Sequence, residues 1–385
     1  MRNPSRALLA LAAVAAGLAL DASAAPRRPI GVDYFRAPFS IERVYEWGER
    51  PDWSPDGKRL AFTESDTRDS FAYEIDLATR KVRCLTCGFG NPGKVTRIYY
   101  LPDGSFLILG ARRAKGRDFD GEIYWLPASL TAPPQPLDAT AFGEIAISRR
   151  RSPQGGMEIA WGSSKDDPSL TTATLTVAQG KARLTDRKAI YRRQLPQDQR
   201  GPSFAEAYNF LRSDRAVTFW TIVPATLDGE MFEVDRATGA LRNVSNSPAH
   251  NETHVFPDER FGLEESNRAS DPDGSLRGIS SLPAVGISAI AGWIGARIPS
   301  RQELVDYNPR GRLRGADRPF DLYVVTLQGP PRLRRLTEVS HLGGSAHQSV
   351  PAADGKRIAF ALVAPASGPM AGKGGLYVGT FGTRR

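Results

Sequence analysis

The sequence predicts an all-β chain folded as a six-bladed β-propeller, with seven blades as the alternative. Three observations carry that expectation. The 37 Gly and 29 Pro of the 385 residues are scattered with no Gly-X-Y period, which excludes collagen and favours turn-rich β-structure over long helices. Short segments alternate apolar and polar residues with the period of two that a strand requires. A unit of roughly 40 residues built from such segments recurs six times. A composition of 41% hydrophobic and 24% charged residues also excludes a disordered chain.

Residues 1–24 read as a signal peptide. Arg2 and Arg6 precede the apolar run ALLALAAVAAGLAL, and Ala22-Ser23-Ala24 follows as an A-x-A cleavage site. The run is too short to span a bilayer, and no transmembrane segment is expected after cleavage. The expected location is periplasmic or secreted. Cleavage removes Arg2, Arg6 and Asp21, which lowers the formal charge of +9 by one. The basic residues are dispersed and form no recognition motif, so no nucleic-acid partner is expected.

Residues 25–49 form a leader, and an edge strand from it or from the C-terminus is expected to complete one sheet. Residues 50–385 are the propeller. Its clearest unit is RPDWSPDGKRLAFTESDTRDSFAYEIDLATRKVRCLT, Arg50 to Thr86. Ser54-Pro55-Asp56-Gly57 has the residues of a type I turn; RLAFT and YEIDL alternate inward positions; Ala78-Thr79-Arg80-Lys81 turns the chain into VRCLT. The second unit is YYLPDGSFLILG with GEIYWLP. The third holds MEIAWGSS and TATLTVAQGKARLT. The fourth holds RAVTFWTIV and GEMFEVDRATGALRNVS. The fifth combines HVFPDERFGLEES with FDLYVVTLQGPPRLRRLT, and the sixth combines PAADGKRIAFALV with GGLYVGTF.

The segment PDWSPDGKRLAF, followed by YEIDLATRKVRCLT, resembles the repeat of TolB-like (WD40-like) β-propellers. Those units open on P-x-W-S-P-D-G-K and close on L-T. The resemblance covers about residues 50–382 and implies a fold rather than an activity. The leader is too short for the extra N-terminal domain of the Tol-system protein. A weaker resemblance, carried by SAHQSVPAADGKRIAF, is to the propellers of oligogalacturonate lyases, which bear a metal site of His and Gln side chains. Here the S-P-D-G turn is replaced by Ala352-Ala353-Asp354-Gly355. The propeller of prolyl oligopeptidase-like enzymes is accompanied by a hydrolase domain with G-x-S-x-G, and that pentapeptide is absent.

All four histidines fall in two segments. His250 and His254 precede the first strand of the fifth unit, and His341 and His347 precede that of the sixth. In a propeller both segments reach one face near the axis, so His250, His254, His341 and His347 are candidate ligands of a divalent metal, Mn or Zn, with Gln348, Glu252 and Asp258 nearby. His254, His347 and Arg268 are the candidate catalytic groups. Glu264, Arg268 and Gln348 are candidate ligand-binding residues. The competing reading makes the histidines plain loop residues.

Residues 269–319 form a long insertion containing LPAVGISAIAGWIGARIP. It is expected to be a lid, a cover for a blade edge, or a contact patch. Cys84 and Cys87 lie at a strand end in an exported chain, so they are expected to form a disulfide if the chain turns after Leu85. Two functions follow. The first is a monomeric binding or scaffold propeller of the bacterial envelope, whose partner is an envelope protein or an acidic glycan. The alternative is a metal-assisted lyase or hydrolase acting on an acidic oligosaccharide.

Overall fold

The computed structural model describes residues 31–64, 70–90, 95–111, 120–151, 155–163, 169–192, 204–223, 228–245, 251–269 and 319–382. Among the described residues, 23 strands form five sheets. β2 (Glu49–Trp53), β3 (Arg59–Thr63), β4 (Ala72–Asp76) and β5 (Val82–Cys84) form the first meander. Next comes a seven-stranded sheet: β6 (Val95–Tyr100), β7 (Phe106–Ala111), β8 (Asp120–Leu126), β9 (Gln135–Arg151), β10 (Met157–Gly162), β11 (Ser169–Ala178) and β12 (Lys181–Arg192). Two four-stranded meanders follow. They are β13 (Glu206–Leu211) to β14 (Ala216–Val223), β15 (Asp228–Asp235) and β16 (Leu241–Asn243), then β17 (Asn251–Val255) to β18 (Phe261–Ser266), β19 (Asp321–Thr326) and β20 (Leu333–Arg335). The last sheet is β21 (Ser345–Pro351), β22 (Arg357–Val363), β23 (Gly375–Phe381) and, from the leader, β1 (Phe39–Tyr45).

The turn between the first two strands of a sheet recurs with one chemistry. Gly57 donates to the Ser54 carbonyl (2.8 Å), Gly104 to Leu101 (2.9 Å), Glu259 to Phe256 (2.9 Å) and Gly355 to Ala352 (2.9 Å). The donor has positive φ in all four, from +58° to +83°, a conformation that suits glycine and strains Glu259. A second turn recurs in D-x-A-T. Asp76 accepts from the amides of Ala78 and Thr79, and Asp235 accepts from those of Ala237 and Thr238. Along β3 the alternation expected of a half-buried strand instead splits two buried faces. Leu60 and Phe62 pack with Trp53, Ile75, Ala359 and Leu376. Ala61 packs on the other side with Ile98 and Ile108. Neighbouring sheets cover both faces, so the period of two assigns side rather than exposure.

The sheets form a ring. β2 packs on β6 and on β21, β9 on β13, β13 on β17, and β17 on β21. The ring closes where β1 pairs antiparallel with β23, from Phe39 opposite Phe381 to Tyr45 opposite Leu376. That closure is a propeller's way of removing a sheet edge. Six separate blades are not formed. The expected second and third units share β9, whose Gln135–Phe142 half pairs with β8 and whose Phe142–Arg151 half pairs with β10. Gly143, at φ +67°, bends the strand between the two halves, and with no intervening loop the two meanders remain one sheet. A seventh unit is likewise not seen among the described residues. The expected signal peptide at residues 1–24 and nearly all of the expected 269–319 insertion lie outside the described residues.

Candidate functional site

The first strand of each meander faces the ring's centre, and side chains from these strands link each to the next. Asp52 on β2 accepts from the Tyr100 amide of β6 (2.7 Å). Arg97 and Tyr99 of β6 both bond to Glu144 of β9, and the Ile145 amide donates to the Tyr99 hydroxyl (3.0 Å). Gly143 of β9 leaves room for the Glu206 carboxylate of β13, which any Cβ at that position would strike. Tyr208 of β13 donates to Glu252 of β17 (2.7 Å), and the Val255 amide donates to Asn209 (2.9 Å). Glu265 on β18 accepts from the amides of Gln348 (2.7 Å) and Ser349 (3.2 Å) of β21. The Gln348 side-chain oxygen accepts from the Arg50 amide (2.8 Å) and returns the circuit to β2.

This circuit is dense in ionisable groups. Glu252 and Glu265 are directly opposite across β17 and β18. Burial and then the Glu252 charge hold the Glu265 carboxyl well above its ordinary range, against the pull of its two amide donors. Burial pushes Asp52 up to about 7. His254, whose ring is tilted against that of Tyr208 at 4.7 Å between centres, and His347 are each lowered from 6.5 to about 4 by removal from water. Glu252 opposes the shift of both imidazoles and Arg97 reinforces it.

At neutral pH both imidazoles are therefore neutral. A depressed folded-state pKa gives stability that is present above pH 6.5 and is lost as pH falls from 6.5 toward about 4. Replacing His254 and His347 together by Ala is expected to flatten that acid limb by about 5–6 kcal/mol, about 3 for each imidazole, read as the change in urea midpoint between pH 7 and pH 4. An unaltered pH dependence would refute the assignment. Glu265 acts in the opposite sense: its raised pKa stabilises the fold at low pH and loses that contribution as pH rises.

His254 and His347 were expected in loops before the first strands; both lie within strands, in β17 and β21. Strand pairing fixes their backbones, and they have no side-chain hydrogen bond to other described residues. His341 sits elsewhere, on an exposed 3-10 turn, Val339–Leu342, with its Nε2 2.8 Å from Arg335 Nη1. His250 lies outside the described residues. Among the described residues no three His, Cys, Asp or Glu side chains form a group able to hold a metal ion, so the expected Mn or Zn ligand set is not brought together there. The carboxylates whose charges act on the imidazoles are committed elsewhere, Glu252 to Tyr208 and Glu144 to Arg97 and Tyr99.

Glu264 and Arg268 form an ion pair with each other. Arg268 also donates to Asn251 (2.8 Å) and Ser266 (3.1 Å) and lies over the Tyr323 ring at 5.1 Å. Its hydrogen bonds hold β17 and β18 together beside a groove of about 270 Å³, rather than leaving the guanidinium free for chemistry. Gln348 adopts φ +56° in a bulge of β21 and spends its side-chain oxygen on the circuit. Cys84 and Cys87 are joined by a disulfide with Cα atoms 5.8 Å apart. Sequence reasoning missed Arg97, Tyr99, Glu144 and Tyr208; the signal was a charged or phenolic residue inside an otherwise apolar first strand.

A ring of antiparallel meanders with the N-terminal strand closing the last sheet defines the class of protein: an all-β propeller with a polar centre. No family model matches the chain, and no curated protein matches its sequence. Solved structures it is similar to include a putative TolB from Agrobacterium tumefaciens, at 14% identity over 78% of this chain and 87% of that one, TM-score 0.44. TolB from Acinetobacter baumannii is 15% identical over 60% of this chain, TM-score 0.39, and the match spans about half of that protein, 52%. An oligogalacturonate lyase in complex with manganese is 11% identical over 87% of this chain and 78% of that one, TM-score 0.42. No helix among the described residues is long and apolar enough to cross a membrane.

Proposed function

We propose that the chain is an exported binding or scaffold propeller of the bacterial envelope, TolB-like in its repeat, which holds an envelope protein or an acidic glycan at the ring's centre. One observation carries this reading. The circuit from Asp52 through Glu144, Tyr208 and Glu265 to Arg50 fixes the inner strands, while His254 and His347 stay neutral and without hydrogen bonds to other described residues. A polar set of inner strands held in this way suits recognition. The A-x-A site at Ala22-Ser23-Ala24 and the Cys84–Cys87 disulfide support an oxidising, exported setting. Metal-assisted lyase chemistry needs a ligand set that the described residues do not assemble.

Site-specific photo-crosslinking in cells tests the reading. A photoreactive residue in place of His347 is expected to give an adduct of defined mass from the periplasmic fraction, and one in place of Leu241, on the exposed outermost strand β16, is expected to give none. Adducts from position 241 alone, or none from position 347, would overturn it.

A further inference from the structure

We propose that the Cys84–Cys87 disulfide is a thiol–disulfide exchange site that takes two electrons from a dithiol. The inference goes beyond the central binding reading and does not depend on it. The bond lies where β5, the outermost strand of the first meander, ends. It encloses only Leu85 and Thr86, and both are fixed to β4 without it. The Leu85 amide donates to the Ala72 carbonyl (2.8 Å), and the Ala72 amide donates to the Thr86 hydroxyl (3.0 Å). Leu85 and Thr86 are buried, whereas Cys87 is exposed and Cys84 half-buried. A bond that closes so short and already ordered a loop contributes little to the fold. One with an exposed sulfur is also open to attack by an outside thiolate.

The two sulfurs are not equivalent. Access directs attack to Cys87 Sγ. The Cys87 amide donates to Cys84 Sγ (3.0 Å), so the charge that develops on Cys84 as the bond breaks has a donor already in place. In the first step a thiolate of the dithiol bonds to Cys87 Sγ, the Cys84–Cys87 bond breaks, and Cys84 leaves with the electron pair. In the second step the other thiolate of the dithiol attacks the dithiol sulfur of the mixed disulfide. Cys87 leaves as a thiolate, with the Tyr73 hydroxyl 3.9 Å from its Sγ, and the dithiol becomes a disulfide. The two protons of the dithiol pass to Cys84 and Cys87. The Ala72 carbonyl, 3.5 Å from Cys84 Sγ, then accepts from the new thiol. Both redox forms of Cys84 thus find a partner in the neighbouring backbone.

Dithiothreitol and reduced glutathione are the probes, applied to the full mature chain. Dithiothreitol is expected to open the bond in the folded protein at a rate within tenfold of that in the urea-unfolded chain. The reduced protein is expected to melt cooperatively within about 5 °C of the oxidised one. Glutathione followed by an N-ethylmaleimide quench is expected to leave the mixed disulfide on Cys87 and the alkyl group on Cys84, with at least a tenfold excess over the reverse arrangement in peptide mass spectrometry. Three results would each overturn the proposal: reduction of the folded protein more than tenfold slower than of the unfolded chain, a larger fall in melting temperature, or glutathione on Cys84 at a tenth or more of its level on Cys87.

Discussion

Replacing Tyr34 by Ala is expected to destabilise the protein by about 3–5 kcal/mol, in the range of large-to-small changes at buried aromatics. Tyr34 is 1% exposed. Its ring lies 4.2 Å from Phe256, 5.0 Å from Phe381 and 5.4 Å from Phe261, so one leader residue joins the last two sheets. Its hydroxyl donates to the Gly355 carbonyl (2.7 Å), and Arg334 clamps the backbone from below through the carbonyls of Tyr34 (2.6 Å) and Ala37 (2.8 Å). Tyr34→Phe keeps the packing and removes only the hydroxyl, so about 1 kcal/mol is expected. Urea unfolding of both variants measures the difference. A loss below about 1 kcal/mol for Tyr34→Ala would show that the leader is not part of the cooperative core.

The second large effect is expected at Asp321. Its side chain is fully buried at the start of β19 and accepts from Arg335 Nη2 (2.6 Å), the Thr337 hydroxyl (2.8 Å) and the Val339 amide (2.9 Å). One carboxylate thus sets the path from β20 through the 3-10 turn into β21, the strand that bears His347 and Gln348. Asp321→Ala leaves the Arg335 guanidinium without its carboxylate and an amide without its acceptor, and about 3–5 kcal/mol is expected. Thermal melting reads the loss. The amide of Gln348, which bonds Glu265 across the sheet interface, is expected to lose hydrogen-exchange protection in the same variant.

Much of the scaffold was legible because turns carry their chemistry locally. Ser54-Pro55-Asp56-Gly57, Asp103-Gly104 and Asp354-Gly355 state a tight turn in adjacent residues, and D-x-A-T at Asp76 and Asp235 states another. The continuity of β9 was hidden, since Gly143 reads as a break and acts as a bend within a strand. The centre was half legible. Chain positions alone set His254 and His347 at neighbouring first strands, but Arg97, Glu144 and Glu265 gain their character only from being enclosed by other strands. A charge in an apolar strand such as VTRIYY reads as an edge residue until a ring puts a carboxylate beside it. Arg268 shows the converse: a conspicuous cation in sequence is neutralised by Glu264, four residues away.

The pairing of β1 with β23 also sets a timetable. Phe39 meets Phe381 and Tyr34 meets Gly355, so the segment made early must wait for one made more than 300 residues later, as the 321-residue separation of Tyr34 and Gly355 requires. Contacts so distant along the chain slow folding, because loop-closure entropy is lost before the pairing compensates for it. While synthesis proceeds, the β1 edge and the Tyr34 ring lack the partners that cover them. During that interval the chain is most prone to capture by a chaperone or to exchange of its first strand with a neighbouring copy, and it ends when residues 375–381 arrive.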